Sequence, residues 1–162
     1  MESIVDPSAD VVWNSVATIA TATGFEEKVP RTDEEWSDVR LGAIRLVESA
    51  NLLAVPGRKV ARPGEKSKAP GVELEPEQIE ANLNRDRAAW ARLVNGLRDA
   101  GLTMVRASDA RSAQGLFDAG ERLELACESC HSTFWYPHQK LPEGYGERDA
   151  GPGQPPAVVG TP

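Results

Sequence analysis

Cys127, Cys130 and His131 fall inside the stretch "LACESCHSTFWYP", residues 125 to 137, and the chain has no further cysteine. On a helix, residues 127 and 131 stack on one face with residue 130 beside them. Two thiols and an imidazole so placed suit c-type haem, in which the thiols add across the two vinyl groups and the imidazole reaches the iron; Cys-x-x-Cys-His is the attachment pattern. Other chemistries use the same residue types. A zinc site needs four ligands, and the only further imidazole is His138, beyond Pro137. A dithiol redox centre belongs at a helix N-terminus in a βαβ setting, whereas this pair comes late in its helix. A disulfide between positions i and i+3 of a continuous helix is geometrically awkward.

Four helical stretches are expected to position these residues. The first is "ADVVWNSVATIATAT", with Val5, Val12, Val16 and Ile19 at helical spacing and Gly24 after its end. Its start is open between a cap at Asp6-Pro7 and a longer helix, beginning in "MESIV", kinked at Pro7. The second opens on Thr32 and Glu35 at capping-box spacing, presents Trp36, Val39, Ala43, Leu46 or Val47, Ala50 and Leu53, and stops at Pro56-Gly57. The third runs from about residue 76 to 106, repeating Ile79, Leu83, Trp90, Leu93, Leu97 and Met104. The fourth follows Ser108 as N-cap, turns Leu116, Gly120, Leu123, Cys127 and His131 inward, and ends before Pro137. No useful length alternates with period two. The expected fold is therefore all-α, an antiparallel four-helix bundle over residues 1–136 with the haem near the end of its last helix.

Two segments fall outside that bundle. Residues 56–74 are rich in Pro, Gly and Lys, and Arg58, Lys59, Arg62, Lys66 and Lys68 outnumber Glu65 and Glu73, so a mobile basic loop is expected, able to meet an acidic partner or the haem propionates. Residues 137–162 hold six of the twelve prolines and little that could pack, which predicts a disordered tail. The net charge of −7 argues against nucleic acid as a partner and favours a basic protein surface. No apolar run approaches the roughly 20 residues of a membrane-spanning helix, and the N-terminus shows no signal-peptide pattern.

With "CESCHSTF" late in the last of four helices, and with a short third loop "RASDAR", residues 1 to about 136 resemble the cytochrome c′ family. The resemblance implies a periplasmic four-helix bundle with one covalent haem c, often a homodimer. His131 would be the proximal iron ligand and Phe134 the aromatic that follows the motif. The first helix would cover the other haem face, with Met1 at or near the position of the distal residue over the iron. Met1 is open between an initiator, which would leave the chain without an export signal, and a residue internal to a longer native sequence; the second is favoured, since the first helix is otherwise short for the bundle. Where family members often carry Arg after the aromatic, this chain has Trp135 and then Tyr136.

Two functions follow from that resemblance. A thioether from Met1 on the sixth position would make a one-electron carrier serving a redox partner protein. An open sixth position walled by Val5, Val12 and Val16 would bind NO or CO. Neither is an enzyme; peroxide cleavage wants a distal acid-base pair, and the first helix has no histidine. Met104 reads as core filler, Trp13, Trp36 and Trp90 as core or helix-contact aromatics, and His138 as an exposed loop residue. Gly120 marks either a close approach or a tolerated glycine.

Overall fold

The computed structural model describes residue 1 and residues 3–139. Its first helix, α1 (Val5–Trp13), begins where three amides, those of Ile4, Val5 and Asp6, converge on the Met1 carbonyl oxygen. That backbone cap ties Met1 to the helix start, and Pro7 sits in the first turn, where its missing N–H costs nothing. Helix α1 stops at residue 13, much earlier than its apolar spacing suggests. Ser15 Oγ donates to the Val12 carbonyl (2.6 Å), and the chain then enters a hairpin of β1 (Ala17–Thr21) and β2 (Gly24–Lys28). The strands pair antiparallel, from Ala17 opposite Lys28 to Thr21 opposite Gly24.

Among the described residues the fold is thus five helices and a small two-stranded sheet, not a clean all-α four-helix bundle. The reason lies in "ATIATAT", whose β-branched residues prefer extended backbone. Both faces of the hairpin meet solvent, so no period-two pattern marks it, and Ile19 is 45% exposed.

Helix α2 (Asp33–Leu53) carries the expected capping box. The Thr32 hydroxyl accepts from the Glu35 amide at 3.1 Å, and the Glu35 carboxylate accepts from the Arg31 and Thr32 amides at 2.7 and 2.9 Å. These bonds stabilise the ionised carboxyl and hold its pKa below the usual value. Trp36, Val39, Ala43, Leu46 and Ala50 of this helix are buried.

The single long helix expected over 76–106 is instead two, α3 (Pro76–Arg85) and α4 (Arg87–Asp109). Asp86 breaks them at φ −129°, ψ 70°, and its side chain accepts from the Ala89 amide (2.8 Å). Leu83 and Trp90 lie seven residues apart, a spacing that fits an unbroken helix, so periodicity alone hides the joint. Helix α4 also runs past residue 106. Ser108, expected as the next N-cap, is buried within α4 and donates to the Met104 carbonyl (2.9 Å). The cap of α5 (Ala113–Phe134) is Ser112, reached through Arg111 at φ 50°.

Helix α2 packs on α4, α4 on α5, and α1 on α2, a packing compatible with a bundle. Close approach uses glycine. A Cβ on Gly42 would lie 2.9 Å from Val11 Cγ1, and one on Gly101 would lie 2.9 Å from Val47 Cγ2. The larger core joins Val12, Leu46, Met104 and Leu123, with Val5, Trp90 and Phe134; a smaller one gathers Val16, Trp36, Val39, Ala107 and Leu116. No helix is long and apolar enough to cross a membrane among the described residues.

The segment expected as a mobile basic loop is folded back on the helices. Lys59 pairs with Glu80 (2.5 Å), Ser67 Oγ donates to Glu73 (3.2 Å), and the Leu74 amide donates to the Trp135 carbonyl (2.8 Å). Val60 and Leu74 pack against the larger core. Arg62 pairs with Glu65 and Lys66 with Glu75, the N-cap of α3, each at 3.9 Å, and with Lys59–Glu80 these pairs offset the segment's positive charge from beyond its own bounds as well as within them. Of the expected tail, Pro137 to Gln139 form a turn; the rest lies outside the described residues.

Candidate functional site

Helix α5 carries Cys127, Cys130 and His131 in its last two turns, far from the positive end of its dipole. All three are half-buried, and both cysteines are free thiols. They line a cleft with Met1, Leu53, Trp90, Leu93, Val94, Leu97, Ala126 and Trp135. Its opposite wall is built by α4 and the last residue of α2. Trp90 fixes that wall. Its indole Nε1 donates to the Leu53 carbonyl (3.1 Å), and its ring meets Phe134 edge-on at 5.7 Å and 77°.

Burial sets the protonation of the donors. It pushes the Cys127 thiol up to about 11, with Asp6, Glu124 and Glu128 adding to the shift, and the Cys130 thiol up to about 12, with Cys127 adding. Burial pushes the His131 imidazole down, against the opposing pull of Glu128, Asp6 and Glu73. At neutral pH the site therefore holds two thiols and favours a neutral imidazole, whose lone pair is free for a metal. A dithiol oxidoreductase wants the reverse, a thiol pKa lowered towards neutrality.

Each residue expected at the site has a definite place. Cys127, Cys130, His131 and Met1 line one cleft. Phe134 is buried behind it, against Trp90. Val5 and Val12 belong to the same core but do not line the cleft, and Val16 lies in the smaller core. The aliphatic wall comes instead from Leu53, Leu93, Val94 and Leu97. Leu53, Leu93 and Leu97 are all on apolar helix faces legible in the sequence, but their convergence on α5 depends on which helices become neighbours. Met104 is wholly buried and does not line the cleft. His138 is exposed and lines a separate open groove of about 560 Å³ with Gln78, Asn82 and Arg85. Trp36 and Trp90 are buried, whereas Trp13 is 41% exposed and rests near Gly120, where a Cβ would lie at an ordinary 3.7 Å.

The donor set fits covalent haem. Two thiols and an imidazole share one half-buried helix face, a thioether lines the same cleft, and the remaining lining is apolar. The cleft as it stands has a volume of about 20 Å³, room for one water molecule, so seating a macrocycle means widening it. Among the described residues no three of His, Cys, Asp and Glu gather as a group that could hold a metal ion. Comparison with protein-family models, curated proteins and solved structures finds no match to the chain.

Proposed function

We propose that the chain is a c-type cytochrome of the periplasm, resembling the cytochrome c′ family, with α1, α2, α4 and α5 as its antiparallel bundle. The observation that carries this reading is the convergence of Cys127, Cys130 and His131 on a single apolar cleft. Each thiol would add across one vinyl group, its sulfur bonding to one carbon and its hydrogen going to the other, with no external oxidant needed. When bound, the haem supplies a one-electron iron couple. The protein's share is to bury it, to present the His131 nitrogen, and to close the other side with Met1 and the aliphatic wall.

Met1 in the cleft supports the electron-transfer role, because its thioether, were it to join His131 in holding the iron, would raise the potential. Carboxylates of Asp6, Glu73 and Glu128 act on His131, and those of Asp6, Glu124 and Glu128 on Cys127. This acidic surrounding, with the net charge of −7, suits a basic redox partner rather than nucleic acid. One observation favours a second reading, a five-coordinate protein binding NO or CO. Leu53, Leu93, Val94 and Leu97 form an apolar wall able to shelter an open iron site. The homodimer implied by the resemblance is part of the same proposal.

Production with a haem-attachment system tests it. The purified protein should be red, should keep its haem in denaturant, and should gain the mass of one haem. The double variant Cys127→Ala, Cys130→Ala should lose the covalent haem. His131→Ala should retain thioether linkage but show altered axial ligation. Colourless protein with two titratable thiols refutes the reading. Ferrous protein whose spectrum is little changed by CO supports methionine ligation, and a large change supports the open site.

A further inference from the structure

The end of α5 is folded over His131. Two consecutive amides beyond the helix, Trp135 N at 2.8 Å and Tyr136 N at 3.0 Å, both donate to the His131 carbonyl oxygen. This closure brings both aromatic rings back to the imidazole. Trp135 lies with its ring centroid 5.8 Å away and tilted by 55°, and Tyr136 lies at 5.9 Å and 58°. Trp135 lines the cleft; Tyr136 does not. The Tyr136 hydroxyl reaches on to Glu128, nearly one helical turn before His131, and donates to its Oε2 at 2.5 Å. The tyrosine is thereby tied at both ends, by its backbone to His131 and by its hydroxyl to Glu128, with its ring beside the imidazole. The strap before α3 holds the neighbouring residue, since the Leu74 amide donates to the Trp135 carbonyl.

We propose that Tyr136, tethered by Glu128, is the positioning residue for His131 as an iron ligand, fixing the plane of the imidazole and keeping water from its outer side. The inference rests on the haem reading above and deepens it to the regulation of that site's redox poise. A metal-bound imidazole is usually oriented by a carbonyl or carboxylate that accepts from its second nitrogen, and that partner also tunes the metal. Here the ring neighbours are aromatic, so orientation depends on packing, and packing depends on the short tyrosine–carboxylate bond. Glu128 has a separable effect. Its negative charge acts on the imidazole and favours the more positive state of anything bound to it. Position and charge are therefore carried by two side chains that different substitutions can separate.

The experiment uses the haem-loaded full chain. Tyr136→Phe keeps the ring and removes the tether. Glu128→Gln keeps an acceptor for the hydroxyl and removes the charge. Circular dichroism first establishes that each variant is folded. Tyr136→Phe should shift or broaden the iron–imidazole stretching band in resonance Raman spectra and spread the electron-paramagnetic signals. It should also move the one-electron equilibrium several-fold, where a tenfold move is about 59 mV. Glu128→Gln should leave the band in place and raise the potential. A Tyr136→Phe holoprotein with the wild-type band and potential overturns the proposal. So does a pair of variants that shift the potential equally with the band unmoved, since that leaves charge alone at work. Wild-type protein without covalent haem overturns the underlying reading instead, a result visible before any variant is made.

Discussion

Leu123 and Leu116 lie two turns apart on α5, both wholly buried, yet they belong to different ends of the molecule. Leu123 joins the larger core with Trp90 and Phe134, against which Met1, Cys127 and Cys130 pack half-exposed. Leu116 joins Trp36, Val39 and Ala107 in the smaller core, where Val16 and Val29 anchor the two feet of the hairpin. Beyond those feet the hairpin has little support. Phe25 is 82% exposed, and every residue of β2 is exposed. A lone two-stranded hairpin is marginal in water, so its order depends on its ends. The contrast shows what burial is used for at each end. At one it holds reactive groups half out of water and sets their protonation; at the other it tethers a surface feature.

Five predictions test this division. Leu123→Ala and Leu116→Ala should each destabilise the protein by about 2–5 kcal/mol in denaturant unfolding. Only Leu123→Ala should also reduce covalent haem yield; equal losses of haem in both would show one continuous core rather than two. Gly101→Ala should cost about 1–3 kcal/mol, because its new methyl meets Val47 of α2 and the crossing of α2 on α4 must shift. An unchanged melting temperature would show that α2 yields without strain.

Thr32→Ala should cost about 1 kcal/mol through the lost cap. Its partner in the capping box makes that contribution pH-dependent. Glu35 is held below its ordinary value of 4.5, so its stabilisation is present above that pH and is lost as pH falls through the lower folded-state value. Melting curves of wild type and Glu35→Gln should therefore converge as the pH is taken below 4.5, and a gap that persists there would contradict the assignment. The smallest effect is expected at the hairpin tip. Phe25→Ser should change stability by no more than about 0.5 kcal/mol, since the ring is almost wholly in solvent. A larger loss would mean that the ring is covered by something in solution.

The helical core was largely legible. Thr32 with Glu35 marked the start of α2, and its buried positions followed the 3.6-residue period because that helix has one wet and one dry face. The hairpin was not, since an element exposed on both faces writes no hydrophobic pattern. The break at Asp86 was hidden for another reason. It interrupts the backbone while keeping Ile79, Leu83 and Trp90 in the dry interior, and periodicity records burial rather than backbone continuity. At the candidate site, Cys127, Cys130 and His131 announced themselves by type and spacing. Tyr136 and Glu128 did not, because their bond forms across the end of the helix and no standard spacing describes it.

Local chemistry decided what could be decided over a few residues: the face shared by Cys127, Cys130 and His131, the capping box at Thr32, and the helical character of the buried segments. Those depend on interactions spanning about one turn. Only the tertiary structure settled the wall that faces the cysteines, the strap pinned to Trp135, and the pKa directions of the thiols and imidazole. Each of these depends on how much water the neighbouring elements exclude, and desolvation is a property of the packed assembly rather than of any stretch of chain.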